Sequence, residues 1–362
     1  MSDASRDSIE LEPTECPLCG AAEFRTVLVT RDRLHGVPGE FRVVRCLECR
    51  HLYMNPRPAP NSILDCYPVN YGPHAGNPVS TSPASDDTAS EGPQQSRPWY
   101  LSPAVRRIPG LRSLYYWLAD SRSEFLPTPD AQHCRALEIG CAVGRFLERL
   151  RDAGWNAQGL EPVDSAAELA RRNGFDVQTG LIEDAEFEQN SFDAVFAWMV
   201  VEHLPDPATA LSRINGWLRD GGCLSISVPN AACWERFVFQ RFWYVWELPR
   251  HLHHFSPARI RLLLEDSGFT DVTILHQRNL LNVVGSLGLL ATRFAPGNQL
   301  ARRILDYPDN PGMWSQLLMA PLAILLAAFR QGGRLTIVAR KAGPPSSRRP
   351  AATAASSNTD HS

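Results

Sequence analysis

The chain predicts an α/β protein: a doubly wound, mostly parallel sheet of seven strands with a small cysteine-paired module at its N-terminus. Three observations predict it. From about residue 135 to 342, short apolar runs alternate with helical patterns. The first run, Ala136-Leu137-Glu138-Ile139, leads into a glycine-spaced turn, Gly140-Cys141-Ala142-Val143-Gly144. Ahead of all this stand two Cys-x-x-Cys pairs.

In chain order, the polar start Met1-Ser2-Asp3-Ala4-Ser5-Arg6-Asp7 lacks an apolar signal core, so a cytoplasmic protein is expected. Cys16-Pro17-Leu18-Cys19 and Cys46-Leu47-Glu48-Cys49 follow. In a reducing compartment, four thiolates in paired knuckles read as a tetrahedral structural zinc site. The 26 residues between the pairs exceed the usual ribbon spacing, but residues 26–30 and 41–45 suit a hairpin that closes it. A redox pair, or a site that has lost its metal, is the alternative. Residues 1–71 are expected to form this module. Residues 72–98 and 344–362, rich in small and polar residues, are expected to be a disordered linker and tail. Residues 105–126 carry an apolar helical pattern leading into a catalytic domain over 99–343.

Within that domain, the second run (157–160) ends at Glu161-Pro162, about 20 residues after the turn. A carboxylate there can accept from two ribose hydroxyls, or it is simply a solvated strand end. The third run, 176–180, leads to Leu181-Ile182-Glu183-Asp184. The fourth, 192–201, leads to Glu202-His203-Leu204-Pro205-Asp206-Pro207, in which Asp206 reads as an N-cap. Gly221-Gly222 precede the fifth, 223–229. After an aromatic segment holding His251, His253 and His254, Ser256-Pro257 cap a helix through Leu264. Strands six and seven, 270–277 and 334–341, enclose an insertion at about 280–330. Its second apolar segment, 313–329, contains Gln316 and Pro321 and falls short of the ~20 apolar residues a membrane span needs. Burial against the domain or a partner is expected, with peripheral membrane contact through 313–329 as the alternative.

Glu138 to Gly144, Glu161-Pro162, Ser191-Phe192-Asp193-Ala194-Val195 and Glu202 to Pro207 make the chain resemble the class I S-adenosylmethionine-dependent methyltransferases over residues 135–342. The resemblance implies a Rossmann-like sheet. It implies that Glu138, Gly140 and Gly144 cradle the methionine part of the cofactor. Glu161 would then hold the ribose, and Ile182 and Glu183 would meet the adenine. Ala142 stands where the family often has glycine, which implies a slightly wider turn. For both glycines a purely structural role in strand-to-helix packing is the alternative, and for Glu183 a solvated loop.

His51-Leu52-Tyr53-Met54-Asn55-Pro56 and Cys66-Tyr67-Pro68-Val69-Asn70-Tyr71 resemble the zinc-ribbon module of bacterial sugar and natural-product methyltransferases. There a tyrosine from this side can enter the active site. Tyr67 and Tyr71 match, either in that role or as packing residues. The implied acceptor is a small molecule, with a nucleotide sugar as one form. A base for its proton is expected at the sheet's carboxyl edge, with His203 and His253 as candidates. Glu202-His203 also resembles a metal-binding pair of ubiquinone-pathway O-methyltransferases. Met199 occupies the place of that set's further acidic residue, so no catalytic metal is expected.

A net charge of −3, with no lysine-rich stripe, argues against a nucleic-acid partner. Three other readings stay open on sequence: a nicotinamide-dependent oxidoreductase, an RNA methyltransferase that grips RNA through the ribbon, and a non-enzymatic zinc-ribbon interaction module.

Overall fold

The computed structural model describes residues 9–67, 71, 127, 129, 134–309 and 311–343. The expected linker, the helix at 105–126 and the tail lie outside these residues.

The N-terminal module is built on the expected hairpin. β1 (Leu11–Glu12) pairs with β5 (Arg57–Pro58), while β2 (Phe24–Thr30), β3 (Phe41–Cys46) and β4 (Leu52–Met54) form an antiparallel meander. The large sheet has the strands β6 (Arg135–Ile139), β7 (Asn156–Glu161), β8 (Asp176–Thr179), β9 (Phe192–Trp198), β10 (Leu218–Pro229), β12 (Phe269–His276) and β13 (Arg334–Lys341). Its order is β12-β13-β10-β9-β6-β7-β8, and β13 runs antiparallel to both of its neighbours. The inner strands are apolar on both faces because helices cover both. Leu137, Val195, Leu224, Ile226 and Ile337 are buried in one core.

The helices begin where local chemistry predicts. α1 (Arg145–Asp152) starts at Gly144, and α2 (Asp164–Arg172) follows Glu161. Asp206 caps α3 (Pro207–Trp217), accepting from Thr209 N–H at 3.0 Å. After α4 (Trp234–Phe239), the N-terminus of α5 (Pro257–Asp266) is capped by Ser256, whose Oγ accepts from Arg259 N–H. The insertion forms α6 (Leu281–Phe294), α7 (Gln299–Leu305) and α8 (Met313–Ala328). Among the described residues no helix is long and apolar enough to cross a membrane.

Two boundaries differ from expectation. β9 stops at Trp198 because Met199 adopts a left-handed φ of 56°, and Val201–His203 continue as a 3-10 turn. β10 starts at Leu218, so Gly221-Gly222 lie within an irregular strand where its register on β9 shifts.

One pairing has no counterpart in the sequence reading. His253–His254 form a short strand, β11, that pairs antiparallel with β4, opposite Tyr53 and Leu52. The module's sheet therefore has the order β11-β4-β3-β2, and its outer strand comes from the other domain.

Candidate active site

Strand order places the site. The chain runs outward from β6 to β7 and β8, then returns to β9 on the other flank of β6. The crevice at the carboxyl ends of β6 and β9 is the point where the strand order reverses, and ligands bind there in such sheets.

The turn after β6 lines one side. Gly140 and Gly144 have φ of 69° and 87°, and Ala142 also sits in the left-handed region at 48°. A Cβ on Gly140 would come within 2.6 Å of Val200, and one on Gly144 within 2.7 Å of Phe175. Both glycines therefore have a packing role as well as a conformational one. Glu161 is buried at the end of β7 and grips the turn: its carboxylate accepts from Ala142 N–H at 2.8 Å and Val163 N–H at 3.0 Å. The Ala142 peptide is thus held without a glycine.

Glu138, also buried, has one oxygen with no hydrogen-bond partner among the described residues, and so does half-buried Glu183; Ile182 is buried beside it. Burial raises all three carboxyls above their ordinary value; at Glu138 the neighbouring charge of Glu161 adds to it. Buried acceptors without protein donors fit a ligand rich in N–H and O–H groups. These acceptors suit the amino-acid and nucleoside ends of S-adenosylmethionine.

On the other side, two chain segments meet residues of the N-terminal module. His203 Nδ1 lies 3.1 Å from the carbonyl of Arg250 and 2.9 Å from the hydroxyl of Tyr67. A carbonyl can only accept, so Nδ1 carries the hydrogen and the lone pair falls on Nε2. Burial, helped by His251, lowers the His203 pKa to about 3, so the ring is neutral. Tyr71 donates to Glu247 Oε1 at 2.9 Å. Burial pushes the Glu247 carboxyl up, but its neighbours His251, Arg250 and His203 outweigh it and hold it at about 2. Burial keeps both tyrosine hydroxyls protonated, raising their pKa well above 10.

Arg250 locks this side together. Its side chain is fully buried and forms a two-pronged pair with Asp32 of the module, at 3.0 and 3.2 Å. It also donates to the carbonyl of Cys66 at 3.1 Å. Asp32 in turn caps its own loop by accepting from the N–H groups of Leu34, His35 and Val37.

The other histidine candidate is placed differently. His253 Nε2 faces the carbonyl of Leu204 at 2.9 Å, and its Nδ1 faces His51 Nε2 at 3.1 Å. Both ring nitrogens are engaged in joining the module to the sheet domain. Glu202 is fully buried, and neither carboxylate oxygen has a partner among the described residues. Burial raises its pKa to about 8. Ligand atoms of Glu202, His203 and His251 lie within 4.8 Å of one another. With no carboxylate at Met199, His251 brings a third donor from a different loop.

The four cysteines converge as expected. Cys16 and Cys49 sulfurs are 3.5 Å apart and those of Cys19 and Cys46 are 3.6 Å apart, with all four thiols free. Zinc–sulfur bonds of about 2.3 Å in a tetrahedron put sulfurs roughly 3.8 Å apart, so the cluster fits that ion.

Sequence reasoning missed Asp32, Glu247 and Arg250. Nothing local marks them, because Asp32 and Arg250 pair across 218 positions.

Known methyltransferases resemble this chain over the sheet domain. A family model described as a methyltransferase domain matches residues 111–274. A probable S-adenosylmethionine-dependent methyltransferase of Mycolicibacterium smegmatis is 28% identical over 228 residues, covering 60% of this chain and 82% of the relative. The ubiquinone biosynthesis O-methyltransferase of Xanthomonas oryzae pv. oryzae is 29% identical over 151 residues. That match covers 38% of this chain and 63% of the relative, less than two thirds of its length. Among solved structures, a methyltransferase of Archaeoglobus fulgidus aligns at 20% identity with a TM-score of 0.40, covering 58% of this chain and 86% of that one. The matched domain and the mycobacterial relative replace the nicotinamide and non-enzymatic readings: residues 111–274 are a methyltransferase domain, and the chain is similar to S-adenosylmethionine-dependent methyltransferases in sequence and in its seven-stranded sheet.

Proposed function

We propose that this enzyme methylates a small-molecule acceptor held between the carboxyl edge of the sheet and the N-terminal module, with His203 taking the acceptor's proton. The observation that carries the reading is the fixed His203 ring. The Arg250 carbonyl holds its Nδ1–H, so a neutral Nε2 lone pair is available at the end of β9. When bound, S-adenosylmethionine supplies an electrophilic methyl on a sulfonium. The chain's task is alignment, exclusion of water and removal of a proton. Glu161 orients the ribose and the turn at Gly140 to Gly144 accommodates the methionine end. Ile182 and Glu183 flank the adenine. As His203 gains a proton, the nearby Glu247 carboxylate stabilises the imidazolium. Tyr67 and Tyr71 stay protonated: Tyr71 donates to Glu247, and the Tyr67 oxygen faces the Nδ1–H of His203.

Around this site we assign residues 1–71 to a module organised by zinc on Cys16, Cys19, Cys46 and Cys49, and residues 99–343 to the catalytic domain. The nearness of relatives in ubiquinone biosynthesis supports a small-molecule acceptor over RNA; a nucleotide sugar is one candidate of that class.

The test is turnover of His203→Ala on a panel of small acceptors, with cofactor affinity followed by calorimetry. Loss of a general base predicts a fall of about 100- to 10,000-fold at unchanged affinity. Near-normal turnover would exclude His203. The convergence of Glu202, His203 and His251 favours a second reading, in which the three hold a divalent cation. Turnover would rise with added Mg2+ or Mn2+ in that case and would not respond to them if His203 is the base.

A further inference from the structure

Helix α8 faces the wrong way for a helix that only covers its own domain. At 100° per residue, Trp314, Leu318, Leu322, Leu325 and Phe329 fall within an arc of about 80°. They are 77%, 83%, 51%, 52% and 70% exposed. Ala320 and Ala323, on the opposite side, are both buried. The small side chains meet the protein and the bulky apolar ones leave it. Leu287 and Phe294 of α6 and Leu300 of α7 are exposed as well. α6 and α7 are held close to one another: a Cβ on Gly288 would lie 2.4 Å from the backbone of Leu305. An exposed apolar stripe such as that of α8 marks an interaction site.

Charge indicates the occupant. The chain as a whole is acidic, at −3, but residues 281–330 carry Arg293, Arg302, Arg303 and Arg330 against Asp306 and Asp309. All four arginines are exposed, and Arg293 and Arg330 directly adjoin Phe294 and Phe329. Aliphatic side chains bracketed by aromatic residues and arginines suit the boundary between anionic headgroups and acyl chains. At 16 residues, α8 is about 24 Å long and lies along such a surface rather than through it. A two-fold contact with a second copy would instead set this arginine-bearing face against another copy of itself, with no acidic face to meet it.

We propose that the α6–α8 face seats this enzyme on an anionic lipid surface, with α8 lying in the plane of the interface. The seat adjoins the acceptor side of the site. Ser286 Oγ in α6 accepts Tyr244 N–H at 2.9 Å, three residues before Glu247.

Flotation of the full chain with vesicles tests this, using phosphatidylcholine alone and phosphatidylcholine mixed with phosphatidylglycerol. The protein should rise with the mixed vesicles, and less so in high salt. Leu318→Glu/Leu322→Glu should lower partitioning by about a hundredfold, because two leucines no longer enter the lipid. Its thermal midpoint and cofactor affinity should match the parent. Arg302→Glu/Arg303→Glu should remove the preference for the anionic mixture. The proposal falls if the parent floats with neither vesicle, or if the leucine variant floats as well as the parent. It falls too if light scattering finds a dimer that the leucine variant dissolves, since the face then belongs to a second copy. A leucine variant with a lowered thermal midpoint and unchanged flotation would show that the chain itself covers the face.

Discussion

Asp32→Asn removes one charge from a pair that water does not reach. The Asp32 and Arg250 side chains are 1% and 0% exposed, and two hydrogen bonds join them. Asparagine keeps the shape but puts an NH2 group where Oδ2 accepts from Val37 N–H and from Arg250, so donor faces donor. Removing one partner from a buried pair costs about 3–5 kcal/mol, because the other charge is left uncompensated. Arg219 and Asp193 supply the contrast. They lie 2.7 Å apart but are 50% and 24% exposed, so Arg219→Gln should cost less than about 1 kcal/mol. Urea unfolding gives both values. Amide exchange at Leu34, His35 and Val37 shows whether the loss is a local opening of the module. The Asp32 carboxyl is pushed up by burial and pulled further down by Arg250, to a net value below 3.8. Its contribution is therefore present above that pH and fades as pH falls through the lowered folded value, and the cost of Asp32→Asn should shrink in parallel. A cost below about 1 kcal/mol at neutral pH, with unchanged exchange, would refute the reasoning.

Three further outcomes are expected. Elemental analysis should find one zinc per chain, and Cys16→Ser should lower that content and open residues 9–67 to protease, since structural zinc supplies much of such a module's folding energy. Glu161→Ala should weaken S-adenosylmethionine at least about tenfold in calorimetry, as charge-assisted hydrogen bonds of ~1.5–3 kcal/mol are lost. Thermal stability should peak at about pH 6. Below the ordinary histidine value of 6.5, His203 and His253, held at about 3 and about 4 by burial, draw protons only in the unfolded chain, so stability falls. Above the ordinary carboxyl value of 4.5, Glu202 and Glu235, raised by burial to about 8 and about 7, lose protons first in the unfolded chain, so stability falls as pH rises. A melting temperature that is flat or runs in one direction from pH 4 to 8 would contradict this balance.

The large sheet was legible because each of its signals is local. Strands buried on both faces read as apolar runs, and Asp206 and Ser256 announce their helices by side-chain chemistry. The turn from Glu138 to Gly144 declares itself by glycine spacing. Where local chemistry misleads, the reading slipped: Asp220-Gly221-Gly222 look like a turn but continue β10, and Met199 gives no hint that it ends β9. The acceptor side was legible in its residue types and not in its wiring. His203 and His253 look equivalent in sequence. Only the pairing of His253 with Tyr53 separates them, and that contact spans 200 positions. The outward stripe of α8 was visible as an apolar segment, but its direction depends on which side the alanines meet.

The strand that the catalytic domain lends to the ribbon bears on how such proteins can be taken apart. A cut anywhere in residues 72–98 looks harmless in sequence. It would leave the Leu52–Met54 strand with a bare edge, and its partner His253–His254 with nothing to lie against. A bare strand edge recruits whatever strand it meets, so an isolated ribbon invites aggregation. In a chimaera, a ribbon borrowed from a relative must match the host's loop after β10 as well as its own cysteines. The natural unit of exchange is the ribbon together with that loop, although some 200 residues of chain separate them.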